Sequence, residues 1–253
     1  MSQNSSRKKG HTWRWLVALG LPAWVLLAFM TVQLIVGFVL YGLGLVGVNF
    51  EALNGAVQST FLGGVIYLVT LLVVIGVPWL VLQKKTSLTE LGLSHSIRWR
   101  DIGMAPLGFV AYIFLSAVLL VIAQQILPFV DFEQAQDVGF SGLTMQYEYI
   151  LAFSMLVVIA PVAEEIIFRG YLFAKLRARL PLWIAILITS LLFGLVHFAW
   201  NVGIDTFALS IVLCLLVVWS KSLWPAILLH MLKNFIAFYF LFINPSILTT
   251  LGG

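Results

Sequence analysis

The sequence predicts an all-α fold, a polytopic transmembrane helical bundle of about seven spans with a cytoplasmic N-terminus. Hydrophobic residues make up 62% of the 253 positions and charged residues only 9%, whereas soluble domains are about 25% charged. Apolar stretches of membrane-spanning length recur along the chain, and lysine and arginine are confined to alternate connections between them. Most of the surface of such a chain must therefore face lipid.

Seven apolar segments are candidate spans, because a helix needs about 20 apolar residues to cross a bilayer. They are residues 15–41, 59–82, 104–127, 147–169, 182–199, 204–220 and 223–243. The connections are short and no repeat is evident, so we expect a single membrane domain over 1–253. Residues 1–14 are polar and basic and are predicted to form a cytoplasmic tail. The apolar stretch after them is too long for a signal peptide and is expected to be retained as the first span.

The distribution of charge predicts the orientation in the membrane. With the N-terminus inside, thirteen of the fourteen lysines and arginines fall in inner segments, and Lys233 lies within the last span. The outer connections then hold acidic residues alone: Glu51, Asp131, Glu133, Asp137, Glu148 and Asp205. The net charge of +4 is therefore interpreted as a topology signal beside anionic membrane lipid, and no nucleic-acid partner is expected. The single cysteine, Cys214, excludes a disulfide framework.

Ionisable and amide side chains inside the spans are concentrated in the second half of the chain. They are Glu164, Glu165, Arg169, His197, His230, Lys233 and Asn234. An ionisable residue at the bilayer centre costs about 2.5–3.5 kcal/mol on insertion scales, so such residues indicate a functional site. The first three spans contribute almost nothing comparable, and residues 147–243 are predicted to form the catalytic core.

Helical spacing groups these side chains. Glu165 and Arg169 are four residues apart and can form an ion pair along one face, whereas Glu164 is rotated by about 100° and is free to face a cavity. His230 and Asn234 share one face of the seventh span by the same spacing. Phe193 is predicted to share a face with His197.

Counting residues places Glu164 and His197 at the same depth. Glu164 is 17 residues before Pro181 and His197 is 16 residues after it. If the fourth and fifth spans form a hairpin that turns at Pro181, equal helical rise brings the two side chains level. This requires the fourth helix to continue past Arg169 into residues 175–179.

The residue types permit two mechanisms of peptide hydrolysis. A glutamate and a histidine can activate water as general bases, while a histidine and an asparagine can hydrogen-bond a developing oxyanion. Alternatively, Glu164, His197 and His230 could ligate a divalent metal such as zinc with an open water position. The residue pattern alone leaves both open.

Three motifs resemble one family. Residues 160–170, APVAEEIIFRG, match the EExxxR motif of the CPBP family, the CAAX proteases and bacteriocin-processing (Abi) intramembrane proteases. Residues 193–197, FGLVH, match its FxxxH motif, and residues 230–234, HMLKN, match its HxxxN motif. The resemblance covers about residues 155–240. One departure is that the chain ends soon after the seventh span, whereas better-known prenyl-protein proteases of the family have a further helix.

The resemblance implies a type II CAAX prenyl endopeptidase-like enzyme that acts at the cytoplasmic side of the membrane. By motif, Glu164 and His197 would activate water, and His230 and Asn234 would form the oxyanion hole. Glu165 and Arg169 would support the site, with Phe193 as a further motif residue. The implied substrate is a membrane-associated or lipidated peptide or protein, such as a prenylated CAAX protein, a bacteriocin precursor or a signalling peptide. A short single-domain chain without a transit peptide suits a bacterial plasma membrane.

Two other classes of function remain as alternatives. A non-catalytic Abi-like scaffold or immunity protein would need no paired buried carboxylates, and a proton-coupled transporter would normally show two related halves or broken helices in pairs. Lys233, inside the third motif, has no assigned role: it either snorkels to the membrane surface or pairs with an acidic group that the sequence does not identify.

Overall fold

The computed structural model describes residues 2–132 and 138–247, with side chains from Leu16 onward. Its helices are α1 (Ser2–Leu45), α2 (Gly55–Leu82), α3 (Trp99–Ile126), α4 (Gln146–Arg177), α5 (Leu182–Leu195), α6 (Trp200–Ser220) and α7 (Trp224–Ile243). Six of them are long and apolar enough to cross a membrane, counting α1 from Leu16, and α5 is shorter. Across the described ranges no residue is in a strand. The predicted all-α membrane bundle is confirmed, and the segment predicted as a tail is helical from Ser2.

Helix α4 runs past Arg169 to Arg177 without a break, as the depth estimate required. It changes to π-helical winding at Ser154–Ile159 and again at Ile166–Phe173. The first of these segments precedes Pro161, which has no backbone N–H to donate to the carbonyl of residue 157. A similar π-helical segment in α2, Leu72–Gly76, precedes Pro78. The two glutamates lie in the short α-helical segment between these π-helical segments, and such winding is frequent at functional sites.

Helix α5 is shorter than the sequence predicted. The predicted span, residues 182–199, ends as a helix at Leu195, about 21 Å from its start at 1.5 Å per residue. The chain then turns through residues 196–199, where Phe198 has a φ of 54°, and re-enters the bundle as α6. His197 therefore lies in the connection between α5 and α6 rather than on a helix. No helical periodicity marks this end, because the residues around it are all apolar or aromatic.

Helices α5 and α6 cross at a pair of glycines. A Cβ added at Gly194 would lie 2.7 Å from the carbonyl oxygen of Gly203, and one added at Gly203 would lie 3.1 Å from the carbonyl oxygen of Gly194. Close backbone approach through small residues is a common way to pack membrane helices. The crossing fixes the position of the connection that carries His197.

Gly194→Ala is therefore expected to lower the free energy of unfolding by about 1–3 kcal/mol, the usual cost of an overpacked interface. The readout is the midpoint of thermal unfolding in detergent. Gly103→Ala is the matched control, because nothing lies within 4 Å of a Cβ at that position in α3. An unchanged midpoint for Gly194→Ala would show that the two backbones do not need this contact.

Hydrogen bonds group the connections at two ends of the bundle. At one end, the Leu223 N–H donates to the Gly92 carbonyl (2.9 Å), and the Trp224 indole donates to the His95 carbonyl (2.6 Å). At the other end, the Asn54 amide donates to Glu148 (2.6 Å), and the Ser59 hydroxyl donates to the Gly139 carbonyl (2.6 Å). The first group belongs to segments predicted to be inner and the second to segments predicted to be outer. The alternation of sides predicted from charge therefore agrees with the helix packing.

Candidate active site

A cavity of about 180 Å³ contains two of the predicted site residues. It lies between α1, α2, α4 and the connection after α5. Its lining comprises Val25, Leu26, Phe29, Tyr67, Thr70, Glu164, Ile167, Phe168, Val196 and His197. Glu164 and His197 thus line one space from the two arms of the hairpin at Pro181, which agrees with the equal depth predicted for them.

Glu164 directs its carboxylate into this cavity, as the rotation from Glu165 predicted. The side chain is 16% exposed, and its Oε2 lies 3.8 Å from Nε2 of His230. Its Oε1 accepts a hydrogen bond from the Tyr67 hydroxyl of α2. One carboxylate oxygen is therefore held by a neighbouring helix, while the other faces an imidazole at more than hydrogen-bond distance.

Glu165 turns the other way and is fully buried with Arg169, whose Nη1 lies 2.8 Å from Oε1 of the carboxylate. The predicted ion pair is confirmed. The guanidinium also stacks over the ring of Phe193, with 4.2 Å between Cζ and the ring centroid. Charge and aromatic face together offset the desolvation of Arg169.

His230 connects α7 to this buried pair. Its Nδ1 lies 2.8 Å from the same Oε1 of Glu165 that accepts from Arg169. An ionised carboxylate only accepts hydrogen bonds, so Nδ1 carries a proton. The bond fixes the ring and turns Nε2 towards Glu164.

His197 is held by the end of its own helix. Its Nδ1 is 2.7 Å from the carbonyl oxygen of Phe193, so Nδ1 donates and the neutral ring presents Nε2 as an acceptor. The ring of Phe193, which is fully buried, has its centroid 5.1 Å from that of His197 and 5.9 Å from that of His230. Phe193 is thus the packing centre between both histidines and Arg169.

Asn234 shares the α4-facing side of α7 with His230, as their spacing predicted. Its side-chain amide donates to the carbonyl oxygen of Leu156 (2.8 Å), inside the first π-helical segment of α4. Asn234 is not among the residues that line the cavity with Glu164 and His197. The structure therefore assembles Glu164, Glu165, Arg169, Phe193, His197 and His230 into one contact network and places Asn234 beside it.

The side chains do not form a metal site as they stand. Within residues 2–132 and 138–247, no three histidine, cysteine, aspartate or glutamate side chains are arranged so that they could hold a metal ion. Both nitrogens of His230 face the glutamates, and Nδ1 of His197 is used by a backbone carbonyl. The predicted zinc ligands Glu164, His197 and His230 thus do not fit a bound ion in this arrangement, and no chemical step is derived through a metal.

Lys233 has an acidic partner, Asp205, which the charge pattern had placed among the outer residues. Asp205, predicted to lie in an outer connection, lies within α6, and its Oδ2 is 3.5 Å from Nζ of Lys233. Its Oδ1 accepts from the hydroxyls of Tyr112 (2.6 Å) and Ser116 (2.7 Å) in α3. Helix α6 begins four residues earlier than the predicted span 204–220, so Asp205 lies in its second turn rather than at its edge. The pair joins α3, α6 and α7 behind the site.

Asp205→Ala is expected to lower the free energy of unfolding by about 1–3 kcal/mol, because it removes the acceptor of two hydroxyls and the counter-ion of Lys233. Asp205→Asn keeps an acceptor for Tyr112 and should lose less. Unfolding midpoints in detergent measure both effects. If Asp205→Ala matched the unchanged protein, the network would not contribute to the fold.

Sequence reasoning missed the contribution of the first two helices. Val25, Leu26 and Phe29 of α1 wall the cavity, and Tyr67 of α2 contacts Glu164. Apolar wall residues leave no signal in a lipid-facing helix. Tyr67 did leave a signal in the sequence. Tyrosines of membrane helices are enriched at the membrane interfaces, whereas Tyr67 lies 12 residues inside a 28-residue helix.

Comparison with known proteins shows that the motif helices match the sequence model of a family. Residues 146–236 match the sequence model of the Rce1-like family, described as type II CAAX prenyl endopeptidase Rce1-like. The matched part begins with α4, ends within α7 and includes every motif residue. The resemblance predicted from the three motifs is therefore confirmed for this part of the chain.

One curated relative, the membrane-embedded CAAX protease MroQ of Staphylococcus aureus (strain USA300), is 31% identical over 97 residues. The match covers 36% of this chain and 39% of that protein, so the chain matches about two fifths of the length of this relative. No solved structure matches the chain significantly.

Proposed function

We infer that this integral membrane protein, whose residues 146–236 belong to the Rce1-like family, is an intramembrane endopeptidase that hydrolyses a peptide bond near the cytoplasmic membrane face. One observation carries the proposal. Glu164 and His197, from separate segments of the chain, line one enclosed cavity, while Glu165 is occupied by Arg169 and His230. One glutamate of the pair is thus free for chemistry and the other is committed to structure.

The proposed reaction begins with a water molecule between Glu164 and His197. Nε2 of His197 accepts one hydrogen bond from the water, and Glu164 takes its other proton as the oxygen attacks the substrate carbonyl carbon. Glu164 then gives this proton to the leaving amine, and the C–N bond breaks to release a carboxylic acid and an amine. The enzyme ends in its starting protonation state.

Stabilisation of the oxyanion is proposed for His230 and Asn234, as the motif resemblance implies. With Nδ1 donating to Glu165, a proton on Nε2 of His230 would point at the side of Glu164 where the substrate carbonyl must lie. The Asn234 amide would join when it exchanges the Leu156 carbonyl for the substrate oxygen. The two groups are one helical turn apart on α7 and share one face of the helix.

The proposed substrate is a membrane-associated or lipidated peptide or protein. The cavity lies among lipid-surrounded helices, and α1 supplies an apolar wall beside the two proposed bases. Prenylated CAAX proteins, bacteriocin precursors, signalling peptides and membrane-bound leader sequences all fit this description. We further propose that the basic connections lie in the cytoplasm, because lysine and arginine are confined to alternate connections. We propose a bacterial plasma membrane because the matching relative is a membrane-embedded protein of Staphylococcus aureus.

Proteomic comparison of membranes that contain the wild-type protein or Glu164→Gln tests the proposal. We expect shortened forms of a small set of membrane peptides with the wild-type protein only, which would also identify the substrate. Identical peptide sets in both membranes, at equal amounts of the two proteins, would contradict the proposal.

A further inference from the structure

We propose that Tyr67 of α2 is a positioning residue for the reaction, because its hydroxyl holds the carboxylate of Glu164 in the orientation that faces the cavity. The inference rests on the proposed function and extends it to a helix outside the matched region 146–236. The observation is the hydrogen bond from the Tyr67 hydroxyl to Oε1 of Glu164, which joins residues 97 positions apart.

The bond determines which oxygen of Glu164 is available. With Oε1 held by Tyr67, Oε2 is the oxygen directed to the side of His230, at 3.8 Å from its Nε2. A carboxylate has two equivalent oxygens and a soft terminal torsion, so without a partner it would rotate freely. A single donor on one oxygen fixes the plane of the group and leaves the other oxygen for water.

No other donor does this for Glu164. Among the described residues, its only hydrogen bond is the one from Tyr67, whereas Glu165 receives Arg169 and His230. An unsolvated carboxylate in a membrane helix is costly unless it is partnered. Tyr67 therefore donates the hydrogen bond that partners Glu164, the proposed base, as Arg169 donates the one that partners Glu165.

The Tyr67 ring also packs against neighbouring side chains, and the test must leave this packing intact. The ring lies 6.4 Å from that of Phe29 and lines both the Glu164 cavity and a groove of about 300 Å³ between α2 and α4. Removing the ring would join the two spaces and change the packing. Phenylalanine keeps the ring and deletes the hydroxyl alone, so Tyr67→Phe is the informative change.

We expect Tyr67→Phe to lower kcat by roughly 10- to 100-fold with KM nearly unchanged, because a misplaced catalytic group reduces turnover more than binding. The assay is cleavage of a peptide identified in the membrane comparison by the purified protein in proteoliposomes. Tyr149→Phe is the matched control: it removes a hydroxyl bonded to the Leu143 carbonyl (3.0 Å), remote from the cavity lining, and should keep wild-type kcat.

Infrared difference spectroscopy gives a readout that packing alone would not change. The band that Glu164→Gln removes reports the Glu164 carboxyl group, and Tyr67→Phe should shift that band while Tyr149→Phe leaves it in place. Wild-type kcat together with an unshifted band in Tyr67→Phe would overturn the inference. The proposed function fails separately, because full turnover by Glu164→Gln would contradict it. If Glu164→Gln loses turnover while Tyr67→Phe keeps wild-type turnover, only the role of Tyr67 is contradicted.

Discussion

Glu164→Gln is expected to reduce kcat by about 10²- to 10⁴-fold, the usual contribution of a general base, without destabilising the protein. Glutamine has the same shape but cannot take a proton from water. Its carbonyl oxygen can still accept the hydrogen bond that Tyr67 donates to Oε1, so the contact between α2 and α4 survives. The measurement is peptide cleavage in proteoliposomes together with the unfolding midpoint of the same preparation.

The control for this change is Glu51→Gln, which neutralises an exposed glutamate in the connection between α1 and α2. We expect it to keep wild-type turnover. A Glu164→Gln protein that cleaves at the wild-type rate would contradict the assignment of Glu164. A phenotype in cells that survives this substitution would favour the scaffold alternative, since a scaffold has no need of a proton acceptor.

Much of the site could be predicted from sequence because polar side chains are conspicuous in apolar spans. The separate directions of Glu164 and Glu165 followed from 100° of rotation per residue, and the pairing of Glu165 with Arg169 followed from their spacing. The common depth of Glu164 and His197 followed from counting to Pro181. Each of these predictions used local geometry that a helix imposes whatever surrounds it.

The predictions that failed, and the features that were missed, depend on contacts between distant segments. Nothing local to residues 182–199 shows that α5 ends at Leu195, because the crossing at Gly194 and Gly203 involves two helices. Asp205 was counted with the outer acidic residues because it stands at the first turn of the predicted span 204–220, and only helix packing brings it to Lys233. Tyr67 and Glu164 lie on helices whose relative position the sequence pattern does not specify. The helical period therefore determines the direction of each side chain, while tertiary packing determines which residues it contacts.

Arg169→Met is expected to lower the free energy of unfolding by about 3–5 kcal/mol, the typical cost of leaving one member of a buried ion pair without its partner. Both side chains are fully buried, and Glu165 would keep only His230 as a donor. Methionine preserves much of the apolar volume beside Phe193, so the loss reports the charge. Denaturant unfolding in detergent micelles measures it, and Arg179→Met, at an exposed position of the same hairpin, should change stability by less than about 0.5 kcal/mol.

The double variant Arg169→Met/Glu165→Gln separates the ion pair from simple misfolding. It removes both charges, so it should recover a large part of the stability that Arg169→Met loses, because replacing a buried pair by neutral groups is often nearly neutral. Turnover should stay low in the double variant, since a neutral amide accepts the Nδ1 proton of His230 more weakly than the Glu165 carboxylate does and so holds the ring less firmly towards Glu164. Recovered stability with low turnover would show that Glu165 and Arg169 act on the reaction by holding His230. Wild-type stability in Arg169→Met alone would instead show that the ion pair within α4 does not contribute to the stability of the fold.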